Sequence, residues 1–61
     1  MTMTNEQIQA RMDYLMAEVE KCDAAIAMSQ TAYATQGYER QADALLAERR
    51  ALRQELKARR A

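Results

Sequence analysis

The side chains in this sequence that could do chemistry are few in kind: a single cysteine, Cys22, nine Asp and Glu residues and no histidine. One cysteine cannot form an intrachain disulfide. Cys22 falls within a series of apolar residues at helical spacing, where a thiol behaves as a small hydrophobic group. Catalysis needs a nucleophile or an acid–base pair in a concave, partly dry site, and a short helical chain offers little concavity. We therefore expect no catalytic residues, and we expect that the protein is not an enzyme.

The sequence also lacks the motifs that usually mark metal and cofactor sites. Asp13, Glu20 and Asp23 are spread around the polar side of the first predicted helix and do not form a cluster. The methionines in this region suit adaptable packing better than metal ligation. The only glycine, Gly37, cannot make a phosphate-binding glycine-rich loop. The sequence thus predicts no metal, no cofactor and no small-molecule substrate.

Chain length favours association with other chains. The chain has 61 residues, and a domain of this size buries a small core that usually needs disulfides, a metal or self-association to support it. No apolar run approaches the roughly 18 residues of a membrane span, so we expect no membrane partner. The N-terminus lacks the basic and then apolar pattern of a secretory signal. We expect a cytoplasmic protein, or a virion component if the chain is encoded by a phage.

The first helix is predicted over residues 4–29. Thr4 followed by Gln7 fits a capping box, in which the hydroxyl and the amide each bond the other residue's backbone N–H. Apolar residues then recur at alternating spacings of four and three, the a and d positions of a coiled-coil seam. They are Ile8, Met12, Leu15, Val19, Cys22 and Ile26.

The second helix is predicted over residues 38–60, with a matching apolar seam. Its members are Tyr38, Ala42, Leu45, Leu52 and Leu56. Arg49 interrupts this seam, either with its stem along the core and its charged head in water or as a buried ion pair that fixes register or oligomeric state. Leu46 points away from the seam and is a candidate contact for a partner.

The connection is predicted over residues 30–37. Gly37 is the natural position for the positive φ that ends a helix at little cost. Thr31, Tyr33 and Thr35 alternate with period two, which indicates a short extended piece, although a frayed helix end followed by a loop fits equally well. The fold class expected is all-α, a single domain over residues 1–61 that forms an antiparallel, oligomeric helical hairpin.

Acidic and basic residues are unevenly distributed along the chain, although the net charge is zero. The last thirteen residues, RRALRQELKARRA, hold six bases and one acid. An antiparallel hairpin would place this basic end beside the acidic start of the first helix, and Glu55 with Arg59 would add an i,i+4 pair. The alternative is a basic surface for nucleic acid or an acidic protein. Its residues would be those that point away from the leucine seam: Arg50, Arg53, Lys57 and Arg60.

A resemblance covers residues 23–56, DAAIAMSQTAYATQGYERQADALLAERRALRQEL. This segment resembles the small tailed-phage head–tail joining proteins of the gpW-like type, in which a short tyrosine-containing hairpin connects two helices. The matching positions are Tyr33 and Tyr38 in the connection, then Arg40, Ala42, Asp43 and Leu46 at the start of the second helix. The resemblance implies a ring of copies at the portal end of the head, with portal or tail proteins as partners and a part in retaining packaged DNA.

Two functions follow from the sequence. The first is a small structural or adaptor protein of a phage particle, for head–tail connection or head completion, which works by helix packing against other subunits. The alternative is a homodimeric four-helix-bundle regulator that binds a protein or nucleic acid through its Arg-rich second helix.

Overall fold

The computed structural model describes residues 2–60, and its first helix, α1, comprises Asn5–Met28. The capping box forms as predicted: Thr4 Oγ1 accepts from the Gln7 N–H at 3.1 Å, and Gln7 Oε1 accepts from the Thr4 N–H at 2.9 Å. Thr4 and Ser29 are the two cap residues. The predicted span of the first helix, residues 4–29, is therefore confirmed to its caps.

The second helix, α2, comprises Ala32–Arg60, which corrects the predicted start at Tyr38 and the predicted connection over residues 30–37. Thr31 caps this helix, because its Oγ1 accepts from the Ala34 N–H at 3.1 Å. The extended piece proposed for Thr31, Tyr33 and Thr35 is wrong, since the last two are helical. Helix propensities of β-branched and aromatic residues fall only tenths of a kcal/mol below those of good formers. Six more residues of continuous backbone hydrogen bonding and packing outweigh that deficit.

Gly37 lies inside α2 and has no positive φ. The prediction that it ends a helix or bends the chain is therefore wrong. A glycine in a helix costs about 1 kcal/mol relative to alanine, which is too little to break a helix of this length.

The connection is only Ser29–Thr31. Ser29 has extended backbone angles, φ −70° and ψ 136°. Its Oγ donates to the Thr31 carbonyl at 3.0 Å and accepts from the Thr35 hydroxyl at 2.8 Å. These hydroxyl contacts satisfy polar groups at the turn and fix the direction in which α2 leaves it.

The two helices pack along their length as an antiparallel hairpin with extents of 45 × 20 × 14 Å, so the predicted all-α helical hairpin is confirmed. The end of α2 lies beside the start of α1, since Arg59 hydrogen-bonds Asn5. At this open end, Ile8, Met12 and Leu56 form a buried cluster with Met3 and Leu52 packed against it. In this register, paired residues of the two helices have numbers that sum to about 64.

Candidate functional site

The predicted apolar seam is largely buried between α1 and α2. Ile8 and Leu15 are completely buried. The other buried members are Met12, Val19, Cys22, Ala42 and Leu56, while Ile26, Leu45 and Leu52 are half-buried. Tyr38 is 38% exposed, so its predicted place in the buried seam is wrong. Tyr38 pairs in register with the half-buried Ile26 near the connection, where the core is thinner than at the open end.

Arg49 lies in the α2 seam and is half-buried. The hairpin register places it level with the fully buried Leu15. Its Nε is buried without a hydrogen-bond partner, and no ion pair to it occurs within residues 2–60. The arrangement matches a stem that covers the core, and the proposed buried ion pair of Arg49 has no partner acid within residues 2–60.

One side of the hairpin carries the charged contacts between its helices. Arg11 pairs with Glu48 through two hydrogen bonds, Nε to Oε2 at 2.6 Å and Nη2 to Oε1 at 3.2 Å. Arg59 donates to the Met3 carbonyl, to Asn5 Oδ1 at 3.1 Å and to Glu55 Oε1 at 2.6 Å. The predicted Glu55–Arg59 pair is thus confirmed.

The Arg11–Glu48 pair shifts the titration of both partners. The hydrogen bond from Arg11, helped by its charge, lowers the pKa of Glu48 against a weaker opposing effect of desolvation. The same hydrogen bond raises the pKa of Arg11. The Arg11 guanidinium also lies 5.1 Å from the centre of the Tyr14 ring, a cation–π contact. Sequence reasoning missed this interhelical pair, although opposite charges on matching flanks of the two seams were its signal.

The opposite side of the hairpin carries the predicted basic residues. A shallow groove there is lined by Gln9 and Met12 of α1 and by Arg53, Lys57 and Arg60 of α2. Arg50 joins Arg53 and Lys57 along a neighbouring depression. These four bases are exposed, and within residues 2–60 none of them forms a salt bridge. The structure therefore brings together the basic residues that the sequence singled out.

We call this side of the hairpin the charged face, and it has three zones along its length. The four bases form its basic end, toward the open end of the hairpin, where the exposed Asp13 of α1, three residues before Met16, adds one acid. Met16 and Leu46, both half-buried, form its apolar centre. Leu46 is thus less exposed than a free contact residue would be, and its contact with a partner stays a prediction.

The third zone is acidic and lies toward the connection. Glu39 and Asp43 precede Leu46 on α2 by seven and three residues, and Glu20 and Asp23 follow Met16 on α1 by four and seven. These spacings put each acid on the same helical face as its apolar neighbour. All four are exposed, and among the described residues they make no salt bridge. Sequence reasoning overlooked this zone, because it treated the acids as candidate metal ligands or ordinary surface charge.

The connection end of the hairpin exposes large side chains. Met28 is 83% exposed and Tyr33 is 88% exposed. Tyr33 shares a small surface depression with Gln36, Gly37 and Arg40. No three Cys, Asp or Glu side chains come close enough to hold a metal ion in the described range. Neither helix, over residues 2–60, is long and apolar enough to cross a membrane.

Comparison with known proteins gave no relative for the chain. No family model, curated protein or solved structure matches it.

Proposed function

We propose that the protein is a small structural adaptor that works by packing its helices against other protein subunits, copies of itself among them. The observation that carries this proposal is the combination of a thin core with apolar surface outside it. Among residues 2–60, only Ile8 and Leu15 are completely buried, while Leu46 and Met16 are half-buried on the charged face. A chain of this size usually gains the missing stability from association.

The setting we propose for this adaptor is a phage particle, at the head–tail connection or in head completion. It rests on the resemblance of residues 23–56 to the gpW-like joining proteins. The two helices agree with that resemblance. The hairpin of strands that separates the helices in that family has no counterpart here, because Tyr33 and Tyr38 both lie within α2.

The test of the adaptor function is the molar mass in solution over a concentration series, with and without purified phage portal or tail proteins. We expect a mass that rises above the 7.0 kDa of one chain and a complex with at least one of those proteins. A mass of one chain at millimolar concentration, together with no complex, would overturn the proposal.

A second candidate function is nucleic-acid binding by a homodimeric regulator. It is favoured by the basic end, whose four side chains are exposed and form no salt bridge within residues 2–60. Binding of this kind weakens steeply with salt, with a log–log slope close to the number of phosphates neutralised. The test is to titrate the protein into a fluorescent DNA duplex at salt concentrations from about 50 to 200 mM. No detectable binding at the lowest salt concentration would exclude this second function.

A further inference from the structure

The charged face has a distribution of charge that is complementary to itself when turned end over end. On α2, Glu39, Asp43, Leu46, Arg50, Arg53, Lys57 and Arg60 follow one another at alternating spacings of four and three. This is a continuous heptad stripe, separate from the stripe that packs on α1. Its order is acidic, apolar and basic, so a two-fold axis through the apolar residue would bring each acidic end over a basic end.

We propose that two copies pair through the charged face, with their α2 helices antiparallel and Leu46 near the two-fold axis, to form a four-helix bundle. The pairing rests on the proposed function, because it names the first subunit against which the helices pack. In a two-fold interface the same patch serves both copies. Each salt bridge between the copies therefore occurs twice.

The position of Leu46 on the axis fixes which charges meet. Arg53 and Glu39 are each seven residues from Leu46, in opposite directions. Arg53 of one copy therefore lies level with Glu39 of the other. Arg50 and Asp43, four and three residues away, meet in the same manner. The acids of α1, Glu20 and Asp23, widen the acidic zone that receives these arginines.

The proposal also explains why the described chain leaves these charges without partners. The three salt bridges within residues 2–60 use Arg11, Glu48, Glu18, Lys21, Glu55 and Arg59. None belongs to the charged face. Charge complementarity of this kind orients two partners and disfavours wrong registers, while the half-buried Leu46 and Met16 supply apolar area at the centre.

Lys57 provides an internal control on the same stripe. It lies eleven residues beyond Leu46, past the level of Glu39 in the other copy, and so has no acid opposite it. A charge reversal at Lys57 should change the dimer dissociation constant much less than a reversal at Arg53. For binding to nucleic acid, the two residues should matter about equally.

The experiment uses two charge-reversed variants of the full chain, Glu39→Lys/Asp43→Lys and Arg50→Glu/Arg53→Glu. Like charges would then face each other in both homodimers, and we expect each dissociation constant to rise by about tenfold or more. An equimolar mixture restores opposite charges at every paired position, so it should form a heterodimer of near wild-type stability. Sedimentation velocity measures the masses, and circular dichroism of the mixture shows that both chains fold.

Disulfide cross-linking tests the direction of the pairing. In a Cys22→Ala background, Leu46→Cys should cross-link two copies under mild oxidation. Lys57→Cys should not, because antiparallel helices would place the two thiols about 33 Å apart at 1.5 Å of rise per residue, and a disulfide needs Cα atoms within about 7 Å. Efficient cross-linking at Lys57 would show a parallel pair and overturn the proposal.

The remaining outcomes separate this proposal from the adaptor function. If the wild-type chain associates and the two reversed variants associate equally well, the charged face is not the interface, although packing against subunits stands. If the wild type stays monomeric yet binds portal or tail proteins, the self-pairing fails and the adaptor function survives. If reversal at Arg53 and at Lys57 each abolishes binding to a DNA duplex without changing the mass, the basic end serves nucleic acid, and the proposal is overturned.

Discussion

Replacing Gly37 with alanine should stabilise the protein, which distinguishes a helical glycine from a hinge. Gly37 lies within α2 without a positive φ, and a Cβ added there would meet nothing within 4 Å. The substitution therefore introduces no clash and no strain. It removes backbone freedom from the unfolded chain, worth about 0.5–1 kcal/mol in a helix interior. For a domain of about 60 residues, that corresponds to a rise of roughly 3–8 °C in Tm.

Thermal and urea unfolding followed by circular dichroism would measure the effect, at one fixed protein concentration because association shifts Tm. The urea midpoint should rise by roughly 0.5–1 M for a chain of this size. The reciprocal variant Ala44→Gly, at an exposed position of α2, should lower stability by a similar amount. A lower Tm for Gly37→Ala would refute the reasoning, since it would mean that residue 37 needs a backbone conformation closed to alanine.

Three further predictions concern the core and the charged contacts. Leu15→Ala should lower the free energy of unfolding by about 2–5 kcal/mol, because Leu15 is completely buried. Circular dichroism at 25 °C should then show much of the protein unfolded, and a loss below about 1 kcal/mol would contradict that burial. Arg49→Met should raise the free energy of unfolding by about 1 kcal/mol in urea, since it keeps a stem over the core and removes the buried, unpaired Nε; an unstable variant would point to an ionic role for Arg49 between copies. The depressed pKa of Glu48 stabilises the fold above the unfolded pKa of about 4.3, and this stabilisation is lost as pH falls through the folded pKa. Glu48→Gln should therefore match the wild type more closely at pH 3 than at pH 6, and a stability difference that does not change with pH would contradict the pairing with Arg11.

The first helix was predictable because its signals are local and agree with one another. Thr4 and Gln7 fix the start through their own side chains. The alternation of four and three that begins at Ile8 specifies one buried stripe, and five of its six members are buried. Little tertiary information is needed when cap, propensity and pattern all indicate the same helix.

The start of the second helix was mispredicted because local signals there conflict. Gly37 and the alternation of Thr31, Tyr33 and Thr35 favoured a connection, and the signal for an earlier helix start, a threonine at the cap position, was not recognised. That cap is the Thr31 hydroxyl, which accepts the Ala34 N–H. In the structure Ala34 and Thr35 are half-buried, and the Thr35 hydroxyl donates to Ser29 Oγ in the connection, a contact that the pattern of α2 alone does not specify.

Only the basic half of the candidate site could be predicted from the sequence. The basic residues were identified from their common direction away from the leucine seam. The acidic zone of the same face was not, because Glu20 and Asp23 join Glu39 and Asp43 only after the register of the two helices is known. The register of the two helices is set by side-chain packing across the hairpin. The apolar pattern of either helix alone does not specify that register.

The three-residue connection places the start of folding at one end of the hairpin and the contacts between the chain ends at the other. Contacts next to the connection close short loops and cost little chain entropy, whereas contacts such as Arg59 with Asn5 close a loop of more than fifty residues. The cluster of Ile8, Met12 and Leu56 lies at that distant end. The hairpin should thus zip from the turn toward the termini, and the cluster at the open end should be the last to form. The terminal turns should therefore open first when the hydrogen bonds of Arg59 to the Met3 carbonyl and to Asn5 are removed.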